Sequence, residues 1–182
     1  MVDMQRHARH LALPQVGIEG QEKLAKAKVF VVGAGGLGSP VLLYLAAAGI
    51  GTIGIIDDDR VDISNLQRQV LHRTEDVGRL KVESAKEQLL ALDPNLTIID
   101  HKERLNPGNA LELFTGWDIV VDGTDNIPTR YLIDDACHLL SIPWVYGSIH
   151  RFEGQVSFFS TKNDRRYRDL FPEAPPASAL QN

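Results

Sequence analysis

Cysteine is nearly absent from this sequence, because Cys137 is the only one among 182 residues. One cysteine excludes a disulfide within the chain and is typical of proteins from a reducing compartment, so we expect a cytoplasmic location. Long hydrophobic runs are also missing, since the longest apolar stretch, residues 41–50, is too short to span a bilayer. The N-terminal residues, MVDMQRHARH, contain no apolar segment of the kind found in signal peptides.

Positive charge is in short supply as well. The sequence has 19 Lys and Arg residues against 24 Asp and Glu residues, which gives a formal net charge of -5. General nucleic-acid binders are usually basic, so we expect neither a nucleic-acid partner nor a membrane partner. Hydrophobic residues make up 43% of the chain, and this share and length support one globular domain with a substantial core.

The sequence does contain a regular alternation of short apolar strands and helical segments. Strands are predicted at residues 29–32, 52–57, 96–102, 117–126, 142–148 and 155–159, and helices at residues 39–49, 81–92, 107–116 and 127–140. This alternation predicts an α/β fold with a doubly wound, mostly parallel sheet and helices on both faces. We expect one domain over residues 1–160 and a linker-like tail over residues 161–182, which is rich in charge, proline and alanine.

A glycine-rich stretch, GAGGLG, lies between the first predicted strand and the first helix. Gly33, Gly35 and Gly38 fit the pattern G-x-G-x-x-G, which in this context indicates a loop that binds nucleotide phosphate. Asp57 ends the next strand, where an acid commonly binds ribose hydroxyls. These two features alone favour NAD, and the alternative is that the glycines only permit tight packing of strand and helix.

Charged side chains at other predicted element ends favour a different nucleotide. Arg68 lies in SNLQRQ, Lys81 begins a helix, and Asp122 and Asp125 lie at a strand end. Cations that converge with carboxylates fit a triphosphate with Mg²⁺, because Arg and Lys bind phosphate oxygens and Asp binds the metal. Each residue has an ordinary alternative, since the cations could be solvated surface charges and Asp125 could be the N-cap of the helix that follows.

Four motifs closely resemble the MoeB/ThiF family, the bacterial relatives of ubiquitin-activating enzymes: VGAGGLGS, GIGTIGIIDDDRVDISNLQRQVLH, VGRLKVESAKEQL and VVDGTDNIPTRYLID. The resemblance extends from RHARH to EGQVSFF, which is most of the chain. It implies a Rossmann-like ATP-binding domain that acts as an adenylyltransferase with ATP and Mg²⁺. The implied substrate is a small ubiquitin-like sulfur-carrier protein with a Gly-Gly C-terminus, whose carboxylate attacks ATP and gives an acyl-adenylate and pyrophosphate.

The same resemblance implies a sulfur donor, which converts the adenylate to a thiocarboxylate. The family serves molybdopterin or thiamine biosynthesis, cysteine formation or tRNA thiolation, and this sequence does not distinguish these pathways. Two alternatives stay open. One is an ATP-binding protein that keeps this fold without turnover, because the C-terminal part of the family fold is expected to be absent from this chain. The other is an NAD-dependent oxidoreductase.

The resemblance also implies a set of site residues. The nucleotide-binding set consists of Gly33, Gly35, Gly36, Asp57, Ser64, Asn65, Leu66, Gln67, Arg68, Lys81, Asp125 and Asn126. Asp57 would bind the ribose, and Asn65, Arg68 and Lys81 would contact the phosphates. Catalytic roles are implied for Arg68, Lys81, Asp125, which would hold Mg²⁺, and Arg9, which would reach the nucleotide of a neighbouring subunit in a homodimer.

Two expectations concern metal and thiol chemistry. The family has a zinc-binding cysteine pair in CYRCLFPE, whereas this chain reads RYRDLFPE with Arg166 and Asp169 at those positions, so we predict no zinc site. The histidines at positions 7, 10, 72, 101, 138 and 150 lack the spacing of metal ligands, and we expect them at the surface or at helix ends. Cys137 lies in a predicted amphipathic helix and is expected to be a buried structural thiol.

Overall fold

The fold comes from a computed structural model, which describes residues 2–162 and 165–173. Its strands are β1 (Lys28–Val32), β2 (Thr52–Ile56), β3 (Thr97–His101), β4 (Ile119–Asp122), β5 (Trp144–His150) and β6 (Glu153–Phe159). They form a 6-stranded sheet in the order β3-β2-β1-β4-β5-β6. Strands β1 to β5 are parallel, and β6 pairs antiparallel with β5. The doubly wound, mostly parallel sheet predicted from the sequence is thereby confirmed.

Helices pack on the sheet, and the bounds of α3, α4 and α6 lie close to those predicted from the sequence. They are α1 (Ala8–Leu11), α2 (Gly17–Lys26), α3 (Gly38–Ala48), α4 (Lys81–Leu92), α5 (Ala110–Phe114), α6 (Ile127–Leu140) and α7 (Tyr167–Leu170). Helix α3 ends before Gly49, whose φ of 83° is the left-handed conformation that favours glycine after a helix. Among the described residues, none of the helices combines the length and the apolar composition that crossing a membrane requires.

Alternate residues of the central strand β1 face opposite sides of the sheet. Val29 and Val31 pack into a core with the apolar side chains of α3 and α4. Phe30 and Val32 pack into a second core with side chains of α5, α6 and β5. Because successive side chains of a strand point to opposite faces, this uninterrupted apolar strand is buried on both sides, as in α/β proteins.

The order of the strands creates a crevice beside β1. The chain moves outward from β1 to β2 and β3, and then crosses back to place β4 on the other side of β1. The loops that follow β1 and β4 therefore leave the sheet in opposite directions at its carboxyl edge, which is where open α/β sheets bind ligands. The glycine loop, residues 33–38, follows β1, and residues 123–126 follow β4.

The two N-terminal helices were not predicted from the sequence. Helix α2 contains Gly17 and Gly20, which weaken its local helix propensity. Tertiary contacts hold it instead, because the Gln21 side-chain amide donates to the carbonyl of Ala48 (2.8 Å) and Gln21 Oε1 hydrogen-bonds His10 Nδ1 (2.9 Å). The N-terminal segment is thus held against the C-terminal end of α3.

The described part of the predicted tail packs on α6 and is not a free linker. Tyr167 is buried in a cluster of aromatic rings that includes Trp144 and Phe171. Its backbone N–H donates to Asp134 Oδ1 (3.0 Å), and the preceding Arg166 forms an ion pair with the same carboxylate (3.1 Å). Residues 163–164 and 174–182 of the tail lie outside the described residues, and the domain boundary at residue 160 stays a prediction.

Candidate nucleotide-binding site

Two glycines of the glycine loop are required by the packing of the protein itself. Gly33 has a φ of 93°, which side-chain-bearing residues rarely adopt. A Cβ atom on Gly38 would lie 1.9 Å from the carbonyl oxygen of Gly33, so only glycine fits where α3 starts. Gly123, which follows β4, is also confined, though less severely, because its Cβ would lie 3.0 Å from backbone atoms of Gly38. Close packing of β1, α3 and β4 therefore accounts for these positions.

Packing does not account for Gly35 and Gly36. A Cβ on Gly35 would come no closer than 3.7 Å to the Gln69 amide, and a Cβ on Gly36 would lie 3.5 Å from the Arg68 side chain. Both are ordinary contact distances, and neither glycine has a positive φ. The protein leaves room for side chains here that it does not use, which suits a loop whose backbone a ligand approaches closely. The packing-only alternative therefore explains Gly33 and Gly38 but not these two.

The backbone of the glycine loop also offers free hydrogen-bond donors. The N–H groups of Gly35, Gly36 and Leu37 find no hydrogen-bond acceptor in the described part of the chain. They lie at the N-terminus of α3, where unpaired N–H groups and the helix dipole attract negative charge. This arrangement suits a phosphate group.

Asp57 lies beside the glycine loop. Its Oδ2 accepts a hydrogen bond from the Ala34 N–H (2.8 Å), and its Oδ1 accepts one from the Asp59 N–H (2.8 Å). Burial raises the pKa of Asp57, although these hydrogen bonds and the positive charge of Lys81 oppose the rise. Each carboxylate oxygen still has a free lone pair, so the group can accept hydrogen bonds from hydroxyls of a ligand while it holds the loop.

The sequence left open that Lys81 is a solvated surface charge, and the structure excludes this. Its side chain is only 6% exposed, and Nζ forms an ion pair with Asp59 (2.7 Å). The segment between β2 and α4 doubles back on itself to bring them together, since the Val61 N–H donates to the Arg79 carbonyl (2.9 Å) and the Gly78 N–H donates to the Val61 carbonyl (2.9 Å). Asp59 uses one of the three donors of the ammonium group and leaves the others for a ligand. The sequence interpretation did not identify Asp59.

Arg68 lies against the glycine loop with its charge unpaired. Its side-chain carbons pack next to Gly36, and its guanidinium contacts only Gln67 Oε1 (3.5 Å) among side chains of the described residues. The group is exposed and forms no ion pair within residues 2–162 and 165–173. An unpaired guanidinium above bare loop backbone is suited to phosphate oxygens.

The remaining residues of SNLQRQ play different parts. The Ser64 hydroxyl donates to Asp62 (2.6 Å) and stabilises a local turn. Asn65 and Leu66 are half-buried, and the backbone carbonyl of Asn65 accepts hydrogen bonds from the next turn of the loop. Gln69, which the sequence interpretation did not select, is buried beside Gly35, and its Oε1 has no hydrogen-bond partner among the residues that the structure describes. A buried side-chain oxygen that lacks a hydrogen-bond donor at this place favours a polar ligand.

Asp122 and Asp125, paired in the sequence interpretation, have separate roles. Asp122 is buried, accepts a hydrogen bond from the Thr124 N–H (2.9 Å) and forms an ion pair with Arg130 (3.4 Å). Burial raises the pKa of Asp122 to about 6. Asp125 is exposed and forms no hydrogen bond or ion pair within the described ranges. It is not the N-cap of α6 either, because Asn126 accepts that hydrogen bond, from the Thr129 N–H (2.9 Å).

The free carboxylate of Asp125 fits Mg²⁺, a hard cation that binds oxygen ligands and accompanies nucleotide phosphates. Another acidic cluster follows β2, where carboxylate oxygens of Asp57, Asp58 and Asp59 lie within 4.8 Å of one another. Two of these three carboxylates already hold Ala34 and Lys81. Asp125 is therefore the better metal candidate of the predicted set.

The sequence interpretation placed all six histidines at the surface or at helix ends, and this is wrong for two of them. His7 is buried against Gly49, and His72 is buried between the glycine loop and α4. Their positions depend on contacts distant in sequence, which spacing does not reveal. Cys137 is buried as predicted, and burial raises the pKa of its thiol well above the usual range, as expected for a structural residue.

Arg9 does not join the other predicted site residues within one chain. It is exposed on α1, which the His10–Gln21–Ala48 hydrogen bonds hold near the C-terminal end of α3. The glycine loop lies at the N-terminal end of α3. Because α3 has 11 residues and rises 1.5 Å per residue, its two ends are about 16 Å apart. The structure thus brings together the glycine loop, Asp57, Arg68 and Lys81, and leaves Arg9 apart.

Zinc does not fit the positions where the resembling family has cysteines. The Arg166 guanidinium pairs with Asp134 (3.1 Å), and Asp169 accepts a hydrogen bond from the Arg166 backbone N–H (2.7 Å). A guanidinium is not a zinc ligand, and the carboxylate is already engaged. We expect protein purified without added metal to contain no stoichiometric zinc by elemental analysis, and a metal content near one zinc per chain would contradict this.

Sequence comparisons find relatives that are named as adenylyltransferases. The chain is 53% identical over 178 residues to the probable adenylyltransferase/sulfurtransferase MoeZ of Mycobacterium tuberculosis, covering 96% of this chain and 45% of the relative. It is 50% identical over 183 residues to the sulfur carrier protein adenylyltransferase of Thermus thermophilus, covering 98% and 68%. The chain thus spans about half the length of MoeZ and about two thirds of the second relative.

Solved structures share the fold. PaaA superposes with a TM-score of 0.81 at 28% identity, covering 92% of this chain and 54% of that one. E. coli MccB solved with AMPCPP and MccA gives a TM-score of 0.81 at 27% identity, covering 91% and 51%. E. coli tRNA N6-threonylcarbamoyladenosine dehydratase, TcdA, in complex with ATP gives 0.73 at 29% identity, covering 78% and 58%. Residues 7–182 match the ThiF family profile, and the chain therefore belongs to the ThiF family.

Proposed function

We propose that this chain catalyses ATP-dependent adenylation of the C-terminal glycine carboxylate of a small ubiquitin-like sulfur-carrier protein. A carboxylate oxygen attacks the α-phosphorus of ATP, a new O–P bond forms, and the bond to the bridging oxygen of the β-phosphate breaks. The products are an acyl-adenylate and pyrophosphate. Two relatives named as adenylyltransferases, one of them a sulfur carrier protein adenylyltransferase, support this reaction class.

The observation that carries the proposal is the combination of bare loop backbone and free cation at Gly36 and Arg68. NAD sites bind pyrophosphate mainly with backbone N–H groups and a helix N-terminus, and they need few cations. Here the side chain of Arg68, whose guanidinium is unpaired, packs on the loop. The ammonium of Lys81 is connected to the same loop through hydrogen bonds that involve Asp59 and Asp57. This positive charge suits a triphosphate and a departing pyrophosphate better than a dinucleotide.

The chain's own residues divide the work. Asp57 accepts hydrogen bonds from the ribose hydroxyls while it holds Ala34 of the glycine loop. Arg68 and Lys81, with Asn65 nearby, bind phosphate oxygens and stabilise the charge on the leaving pyrophosphate. Mg²⁺, when bound with ATP, neutralises triphosphate charge, and Asp125 would hold it.

Several features of the family stay proposals for this chain. They are a Gly-Gly-tailed carrier as the protein substrate, a sulfur donor for the adenylate, a cytoplasmic location and a homodimer. The position of Arg9 favours the homodimer, because its helix lies at the end of α3 remote from the glycine loop of the same chain. Arg9 would then serve the nucleotide of the neighbouring subunit.

ATP–pyrophosphate exchange with candidate carriers from the same genome tests the proposal. We expect label to pass from pyrophosphate into ATP only when a carrier with a free Gly-Gly C-terminus is present, and a carrier that lacks the last glycine is the matched control. Calorimetric titration with ATP·Mg²⁺ and with NAD accompanies it. ATP binding without exchange would favour a protein without turnover, and NAD binding in place of ATP would favour an oxidoreductase.

Replacement of Asp57 by alanine should weaken ATP binding by about 1–3 kcal/mol, the cost of leaving buried hydrogen-bonding groups without partners. The variant loses both the ribose contact and the acceptor for Ala34. Asp58→Ala is the matched control, because it removes the same charge from the exposed neighbouring position. ATP titration on both folded variants measures the difference, and equal affinities would remove Asp57 from the site.

A further inference from the structure

His72 closes a ring of hydrogen bonds through the candidate site. The ring runs from Ala34 to Asp57 (2.8 Å), on to Asp59 (2.8 Å) and then to the ammonium of Lys81 (2.7 Å). Lys81 begins α4, whose next turn contains Ser84. The hydroxyl of Ser84 hydrogen-bonds His72 Nδ1 (2.8 Å), and His72 Nε2 hydrogen-bonds the Ala34 carbonyl (2.9 Å).

The chemistry of the partners fixes the direction of two of these bonds. A carbonyl oxygen only accepts, so Nε2 of His72 carries the hydrogen and donates it to Ala34. Nδ1 of the neutral ring is then the acceptor, and the Ser84 hydroxyl donates to it. Burial lowers the pKa of His72, although its hydrogen bond to Ala34 and the charges of Asp76 and Asp57 oppose the shift, and the lowered pKa favours this neutral form.

Ala34 is held from both sides of its peptide as a result. Asp57 accepts a hydrogen bond from its N–H, and His72 donates one to its carbonyl, which also accepts a longer contact from the Ser39 hydroxyl (3.5 Å). Ala34 immediately precedes the two glycines whose backbone is left bare. Its orientation therefore determines where the free N–H groups of the loop point.

We propose that His72 is a positioning residue that couples the glycine loop to helix α4, so that the loop and Lys81 keep a fixed relative position. The inference rests on the proposed function, because it concerns how the same site is organised for phosphate groups. His72 touches no reacting atom; it acts through the carbonyl of Ala34 and the hydroxyl of Ser84. The two hydrogen bonds of His72 join residues 38 and 12 positions apart in sequence, and they complement the connection through Asp57 and Asp59.

The test compares His72→Phe with His72→Gln in the full chain. Phenylalanine keeps ring volume but removes both hydrogen bonds, whereas glutamine places an amide N–H near the position of Nε2 and restores donation to Ala34. We expect His72→Phe to raise the ATP dissociation constant about 10-fold, the scale of a lost buried hydrogen bond, and His72→Gln to recover most of this loss. His138→Gln, an exposed histidine on α6, is the matched control.

A second readout is independent of adenylation. Hydrogen exchange of the Ala34 amide, followed by NMR, should be faster in His72→Phe and in Ser84→Ala than in the wild type. Ser84→Ala in the His72→Phe background should add nothing, because both changes break the same linkage. Unchanged Ala34 exchange in Ser84→Ala, or equal ATP affinities in the phenylalanine and glutamine variants, would overturn the proposal.

These measurements distinguish a failure of the proposed adenylation activity from a failure of the proposed role of His72. Should wild-type protein fail in pyrophosphate exchange with every carrier, the proposed function fails, while amide exchange and ATP titration still decide the role of His72. Should His72→Phe fail to fold, Ser84→Ala carries the test, because it removes only one hydroxyl group. Additive effects of Ser84→Ala and His72→Gln would also count against a shared linkage.

Discussion

Replacement of Arg68 or Lys81 by alanine is expected to slow carrier-dependent pyrophosphate exchange by about 10²–10³-fold, the scale for losing one preorganised charge-stabilising donor. ATP affinity should fall much less. In the proposed complex, backbone N–H groups of the glycine loop and Mg²⁺ would already neutralise the triphosphate, whereas attack by the carboxylate would bring two anions together and move charge onto the leaving pyrophosphate. A fixed cation there binds the transition state better than the ground state, and only that difference raises kcat.

Arg68 and Lys81 are measured in the same pair of assays: exchange kinetics with a saturating Gly-Gly-tailed carrier, and ATP titration on the same preparations. Arg68→Lys is the informative conservative change, because a guanidinium offers a planar fork for two phosphate oxygens and an ammonium offers a point charge. We expect this variant to stay well below wild-type rate. Equal losses of rate and affinity would make both residues simple binding groups, and no loss in either would remove them from the site.

Lys81→Ala also leaves Asp59 without its ion-pair partner. The carboxylate of Asp59 is 68% exposed, so water can solvate it and the fold should tolerate the change. Lys86→Ala on the same helix is a suitable control, because the ion pair of Lys86 is with Asp100 of β3 and not with a residue of the candidate site. A thermal melt of both variants shows whether any loss of rate reflects the site or the fold.

Local sequence signals predicted the elements that position the site. The start of α4 at Lys81 and the start of α6 after Asn126, with Pro128 in its first turn, follow from helix-start chemistry that short windows contain. Helix α2 could not be predicted in this way, because its glycines oppose helix formation and the Gln21–Ala48 contact that holds it joins distant parts of the chain. Strand β6 was recognised from its apolar residues, while its antiparallel direction, which the two-residue connection between His150 and Glu153 produces, was left open.

The site residues also divide into those that local sequence could identify and those that depend on tertiary contacts. Asp57, Arg68, Lys81 and Asp125 could be selected because the carboxyl ends of strands in a doubly wound sheet share one edge, so each chemical group could be placed from its neighbours in sequence. The residues that contact or support them could not be selected in this way. Asp59, Gln69, His72 and Arg130 acquire their roles through contacts that form only when the loops fold back, and an isolated charge or amide carries no signal of its eventual partner.

Gly36→Val is expected to weaken ATP binding by about 100-fold while the fold remains intact. The added side chain would point into space where the nearest protein atoms belong to the flexible Arg68 side chain, at 3.5 Å from Cβ. Gly36 has an ordinary φ, so valine needs no strained backbone. A ligand that approaches the bare loop would instead meet two new methyl groups, and steric overlap of this kind costs about 1–3 kcal/mol.

Gly38→Ala is the opposite case and completes the comparison. Its Cβ would lie 1.9 Å from the carbonyl oxygen of Gly33, so the fold must shift to admit one methyl group. We expect the free energy of unfolding to drop by about 2–4 kcal/mol in this variant, against less than about 1 kcal/mol in Gly36→Val. Urea denaturation and ATP titration on both proteins separate packing from ligand approach. Normal ATP affinity in Gly36→Val would mean that the phosphates do not rest on this loop, because the structure leaves no other reason for the absence of a side chain there.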